Sequence, residues 1–282
     1  MTRILNIAHR GGAGLWPENT LGAFKHALAL PCDGVELDCH LSKDGEIVVI
    51  HDEALDPDLV RKDGRWLEAK GPLVKNLTYA ELRQFDVGRV KPGSSRASRW
   101  PHQQAIDGER IPRLGDCILM AKRMSKEAQL WIELKSNLRE PERTADPEIL
   151  AGKIVALLRA QDFLSRAVLV SFNWAALMHA KSIERSLKTF CLTLPESERR
   201  SRLFPEISDA ALIGAIKGAG AGGWLIHYSD LTPERVGLAR EFLDLAVWTV
   251  NDDAEMKRLI ALKPHAICTD YPDRLKAALA GA

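Results

Sequence analysis

The chain has 282 residues, with 39 Lys or Arg against 38 Asp or Glu, a formal net charge of +1 and 46% hydrophobic residues. This balance excludes a disordered or fibrous chain and gives no overall pull toward nucleic acid or an anionic membrane. The length suffices for one large α/β domain or two small ones.

The first apolar run, at residues 4–8, is too short for a signal-peptide core and leads straight into His9-Arg10. No later run is long and apolar enough to cross a bilayer, so stable membrane insertion is not expected. Five cysteines without a C-x-x-C pair fit reduced thiols, with Cys39 and Cys268 as small buried hydrophobes. A cytoplasmic protein follows as the expectation, and a homo-oligomer is compatible with it.

Taken in order, strand-like runs are "RILNIA", "GVELDC", "EIVVIH", "LWIEL", "RAVLVSF", "KTFCLTL", "GWLIHY", "LAVWTV" and "HAICTD". Helical periodicity falls between many of them, at 20–30, 147–160, 232–242 and 253–262, with start signals at Asn19-Thr20, Thr232-Pro233-Glu234 and Asn251-Asp252-Asp253. About eight strands alternating with helices predict a closed (β/α)8 barrel of the TIM type, with a doubly wound open sheet as the alternative. Residues 52–110 break the alternation. They read as an insertion over one end of the barrel, with a short helix at 78–85 and mostly solvated Arg and Lys side chains, although some of these cations approach an anionic substrate in an alternative reading.

Successive strand side chains point to opposite faces. In "GVELDC" that puts Glu36 and Asp38 on one face and Val35, Leu37 and Cys39 on the other; in "LWIELK" it sets Trp131, Glu133 and Lys135 against Leu130, Ile132 and Leu134. Three carboxylates thereby converge where a core wants aliphatic residues. A buried carboxylate is costly unless paired, and oxygen-only ligands select a hard divalent ion, Mg²⁺ or Ca²⁺, with Mn²⁺ also admitted. The competing reading is a structural ion network with Lys135, Arg10 and Arg113. His9 and His51 sit at predicted strand ends near the acids. A pair of imidazoles can hold one proton between a base and an acid, which is what cleaving a phosphodiester requires, while Arg10 and Lys135 offset the anionic charge.

The set "HRGG" with "PENT", "VELDCHLSKDGEIVVIHD", "IELK", "SFN", "VWTVND" and "CTDYP" closely resembles the bacterial glycerophosphodiester phosphodiesterases, in order along nearly the whole chain. The resemblance implies a barrel with an insertion after the His-Asp pair, and metal-dependent hydrolysis of small glycerophosphodiesters such as glycerophosphocholine or glycerophosphoethanolamine to sn-glycerol 3-phosphate and an alcohol. It implies Glu36, Asp38 and Glu133 as metal ligands, His9 and His51 as catalytic histidines, and Arg10 and Lys135 as substrate contacts. Glu18 is expected to orient His9 or a substrate hydroxyl, Asn19 to cap a helix, and Trp248 to border the substrate. Phe172 is expected in the core and His40 as a support beside the ligands. Competing functions are a lysophospholipase D or sphingomyelinase D-like lipid phosphodiesterase, a metal-dependent sugar isomerase or aldolase, and a non-catalytic phosphodiester-binding barrel.

Overall fold

The computed structural model describes residues 3–201 and 207–281. Its first half contains β1 (Leu5–Ala8), α1 (Leu21–Ala29), β2 (Gly34–Leu41), β3 (Ile47–Val49), β4 (Arg61–Lys62), β5 (Arg65–Trp66), α2 (Tyr79–Leu82), α3 (Ser95–Arg99) and α4 (Leu114–Met124). There follow β6 (Gln129–Leu134), α5 (Pro147–Ala160), β7 (Ala167–Ser171), α6 (Trp174–Ile183), β8 (Lys188–Leu192), α7 (Glu196–Ser201) and α8 (Asp209–Gly218). The last elements are β9 (Gly223–His227), α9 (Pro233–Ala239), β10 (Asp244–Trp248), α10 (Asp253–Ala261), β11 (Ala266–Thr269) and α11 (Pro272–Ala280).

Parallel strands run in the order β1-β11-β10-β9-β8-β7-β6-β2, and β1 also pairs with β2, so the ring closes into a (β/α)8 barrel. An open doubly wound sheet is thereby excluded. β3 returns antiparallel along the far end of β2. Strand parity explains the layers: Val35, Leu37, Cys39, Leu130, Ile132 and Leu134 pack outward against the helices. Trp131, Val168, Val170, Phe190, Leu192 and Leu225 fill the interior. Register places Glu36 beside Trp131 and Asp38 beside Glu133, so the acids lie at and just above the top of that apolar filling.

Between His51 and Ile111 the chain builds a small apolar cluster of its own, in which Leu55, Val60, Val74, Leu82 and Phe85 gather on Val48, Ile50 and Ile111. The helix expected at 78–85 is shorter, Tyr79–Leu82, and opens with a capping box between Thr78 and Glu81. A further helix, Ser95–Arg99, lies in sequence read as loop, with the Ser94 side chain as its N-cap.

Candidate active site

One oxygen from each of Glu36, Asp38 and Glu133 lies within 4.8 Å of the others, and all three residues are buried. Partners are unequally shared. Asp38 takes Arg10 Nε at 3.3 Å, Lys135 Nζ at 3.4 Å and the Asn19 amide at 2.8 Å. Burial opposes its charge, yet Lys135 and Arg10 outweigh that and hold the carboxyl well below its ordinary range. Glu133 has Lys135 Nζ at 3.0 Å, but burial still raises it. Glu36 accepts the Arg10 backbone N–H at 3.1 Å and is pushed up to about 8, first by burial and then by Asp38. The ion network expected as the competing reading therefore exists in part, through Arg10 and Lys135. Arg113 belongs elsewhere, on Asp116 at 3.1 Å. The network leaves one carboxylate short of compensation. Three converging oxygen donors with an uncompensated charge fit a hard divalent cation.

The turn after β1 aims Arg10. Arg10 itself is left-handed, at φ 50°, and Gly11 and Gly12 follow at φ 83° and 89°. A Cβ on Gly11 would stand 2.7 Å from the Phe24 ring, so the turn tolerates no side chain there. Glu18 accepts from Arg10 Nη1 at 2.9 Å and lies 3.7 Å from Arg96 Nη1. Its contacts are with arginines and not with His9, one of the two partners expected for it. The expectation of Asn19 as a helix cap is corrected. Asn19 sits at φ 57° and is joined to Asp38 twice, through its amide and by accepting the Asp38 backbone N–H at 3.2 Å. The cap of α1 is Thr20, whose side chain accepts from Ala23 N.

Both histidines are held at Nδ1 by a carboxylate. His9 Nδ1 meets Asp270 Oδ1 at 2.6 Å, and its Nε2 lies 3.9 Å from Glu36. Burial works against an imidazolium at His9, but the charge and hydrogen bond of Asp270 prevail and its pKa is raised. His51 Nδ1 meets Asp52 at 2.8 Å. Burial, then Arg10 and Lys135, bring His51 down to about 3. Asp52 is gripped in turn by Arg96 from α3, which also bonds Asp56 at 2.7 Å. Arg96 is thus an exception to the solvated reading of the inserted segment. His40 supports the frame: its Nε2 lies 3.1 Å from the backbone oxygen of His51.

The sequence reading gives Asp270 no role, although "CTDYP" contains it. It accepts from Asn251 Nδ2 at 2.7 Å and from Trp100 Nε1 at 3.4 Å besides its bond to His9. Its signal was the same parity that revealed the other acids, because Ala266 and Cys268 face the barrel interior and Asp270 continues that face.

Trp248 ends β10 and meets Phe172 and His227 edge-on at ring separations of 5.5 and 5.4 Å. Phe172, expected in the core, caps it and also lines the adjoining cleft. This cleft, about 580 Å³, opens from His51 and Lys135 between the inserted segment and the loop after β6. Among the described residues no helix is long and apolar enough to cross a membrane.

Residues 9–274 match the glycerophosphoryl diester phosphodiesterase family. A glycerophosphodiester phosphodiesterase of Caldanaerobacter subterraneus subsp. tengcongensis is 32% identical over 276 residues, 97% of this chain and 96% of its own. A solved Silicibacter pomeroyi DSS-3 structure named for the same family superposes with a TM-score of 0.90 at 31% identity, covering 99% of this chain and 94% of that one. An Oleispira antarctica phosphodiesterase, solved with the product sn-glycerol-3-phosphate, shares the fold at a TM-score of 0.72 and 24% identity, over 97% of this chain and 96% of its own.

Proposed function

This chain belongs to the glycerophosphoryl diester phosphodiesterase family, and from that premise and the geometry above we propose how it carries out glycerophosphodiester hydrolysis. Substrates are water-soluble diesters such as glycerophosphocholine and glycerophosphoethanolamine, cleaved to sn-glycerol 3-phosphate and an alcohol. The observation that carries the reading is the cluster of Glu36, Asp38 and Glu133 oxygens, flanked by two carboxylate-held imidazoles.

Glu36, Asp38 and Glu133 would hold one divalent cation, Mg²⁺, Ca²⁺ or Mn²⁺. When bound, such an ion neutralises charge and polarises a phosphoryl oxygen. Arg10 donates through Nη1 to Glu18 and lies with Nε 3.3 Å from Asp38, which leaves Nη2 for a phosphate oxygen. Glu18 acts on substrate through that arginine. Lys135 adds a fixed positive charge, and Trp248 forms a wall for the glycerol.

The two histidines divide the proton transfers. His51 lines the cleft that opens away from the acids, so the departing alcohol lies on its side and His51 protonates the leaving oxygen. His9 takes the proton of the attacking hydroxyl, whether that belongs to the glycerol 2-position or to water. Asp270 stabilises the imidazolium that His9 becomes on taking the proton. Burial, Arg10 and Lys135 hold His51 low, so His51 gains its proton only as the anionic substrate binds and offsets those cations, and then donates it. Leu138 is the one exposed large hydrophobic bordering the cleft among the described residues, which supports a soluble substrate over a lipid. Five free cysteines, four of them buried, support a cytoplasmic setting.

The test is release of sn-glycerol 3-phosphate from glycerophosphocholine with each cation and after chelation. Turnover is expected only with metal. His9→Ala and His51→Ala should each lower kcat by about 10²–10⁴-fold with metal affinity, read by calorimetry, nearly intact. Activity that survives chelation, or full activity in either variant, contradicts the assignment.

A further inference from the structure

The cleft beside His51 has two walls. One is the inserted segment, with Asp52, Glu53 and Lys70; the other is the loop after β6, with Ser136 and Arg139. They are tied together by Arg143 Nε on Glu53 at 2.6 Å, by Asn137 Nδ2 on Glu53 at 3.3 Å, and by Lys75 Nζ on the Thr144 carbonyl at 3.3 Å. The Asn137 side chain also accepts the backbone N–H groups of Arg139 and Glu140, which fixes the loop's tip. This is a braced cavity rather than a gap between loose loops.

Both carboxylates in the walls are already held by arginines, Asp52 by Arg96, which it shares with Asp56, and Glu53 by Arg143, which it shares with Glu140. Lys70 and Arg139 have no ion-pair partner among the described residues, and Lys135 stands at the inner end. A trimethylammonium group is recognised by several aromatic faces, and among the described residues Phe172 is the one aromatic ring, apart from histidines, that lines the cleft. Choline entering here would meet two unpaired cations, Lys70 and Arg139, since Lys135 is held by Glu133 and Asp38.

Resting on the hydrolytic reading above, we propose that this cleft selects a leaving alcohol that carries its own anion, such as a second phosphodiester, with Lys70 and Arg139 as the residues that read it. For bis(glycerophospho)glycerol, water's oxygen becomes bonded to phosphorus as the bond to the central glycerol oxygen breaks. That oxygen takes a proton, and the products are sn-glycerol 3-phosphate and glycerophosphoglycerol.

The experiment measures kcat/KM for bis(glycerophospho)glycerol and glycerophosphocholine with the metal-loaded full chain, following products by phosphorus NMR. At low salt the anionic substrate is expected to be favoured about 10-fold, two exposed charge contacts' worth, and the ratio should shrink as salt screens them. Lys70→Ala and Arg139→Ala should each lower the ratio several-fold, and K70E/R139E should invert it. Both positions are exposed, so folding is not at stake, and the variants' retained cleavage of either diester confirms it. A wild-type ratio near one, or a ratio the double variant leaves unchanged, overturns the proposal while the hydrolytic reading stands. Failure of the wild type to cleave either diester with Mg²⁺, Ca²⁺ or Mn²⁺ overturns the hydrolytic reading and this proposal with it.

Discussion

Glu36 has the least compensated charge in the acid cluster, and this makes it a thermodynamic sensor of the site. Its carboxyl is raised to about 8 by burial and by Asp38, against an ordinary value near 4.5. A group raised on folding contributes stability that is complete below its unfolded pKa and is lost as pH rises through the folded one. The metal-free protein should therefore melt at progressively lower temperature between about pH 5 and 8. Saturating divalent cation should remove that slope, and so should Glu36→Gln, whose metal-linked gain in Tm should also vanish. A flat metal-free profile in the wild type would remove the argument for a strained carboxylate. Asp270 supports a second prediction. Burial and Arg10 both push His9 down, and only nearby carboxylates, Asp270 foremost, raise it. Asp270→Asn should lower kcat by about 10²–10⁴-fold. A base works unprotonated, so the acidic limb of the kcat/KM profile should also move to lower pH. A merely structural loss would lower the rate without moving the limb.

At the scale of elements, two neighbouring residues do jobs that composition alone does not separate. Thr20 caps α1 and Asn19 braces Asp38. Thr20→Ala should cost about 1 kcal/mol of stability with metal affinity retained. Asn19→Gly keeps the left-handed backbone and removes the brace; it should weaken metal binding about 10-fold, as loss of a ligand's supporting hydrogen bond does, with the helix intact. Calorimetry and thermal melts separate the two outcomes. Which residue caps was illegible because it depends on backbone dihedrals, and Asn and Thr are both good caps. Strand parity, by contrast, was legible: a period of two is rigid, so Glu36, Asp38 and Glu133 could be put on one face before any coordinates. Asp270 obeys the same rule, but its strand offers no second acid to mark the face. Arg96 had no such rule to follow, since nothing periodic fixes the path of residues 52–110.

For the whole molecule, the barrel interior and the stretch from residue 48 to 111 have separate apolar clusters, the second built on Val48, Ile50 and Ile111. Leu55 is fully buried in the smaller one. Leu55→Ala should cost about 2–5 kcal/mol locally. Hydrogen exchange should then show residues around Leu55, Val74 and Leu82 opening well before β6 and β7, with turnover falling as Arg96 loses its hold on Asp52. Uniform loss of protection across both clusters would mean that they unfold as one unit.

The bond between His9 and Asp270 joins residues 261 positions apart, each just past the end of one of two paired strands, β1 and β11. No intermediate in which those two strands are still apart can possess this dyad, however native its helices look. Catalytic competence therefore waits on the pairing of the first strand with the last. Recovery of turnover during refolding should then lag or match that pairing and never precede it, while circular dichroism follows helix and sheet as a whole.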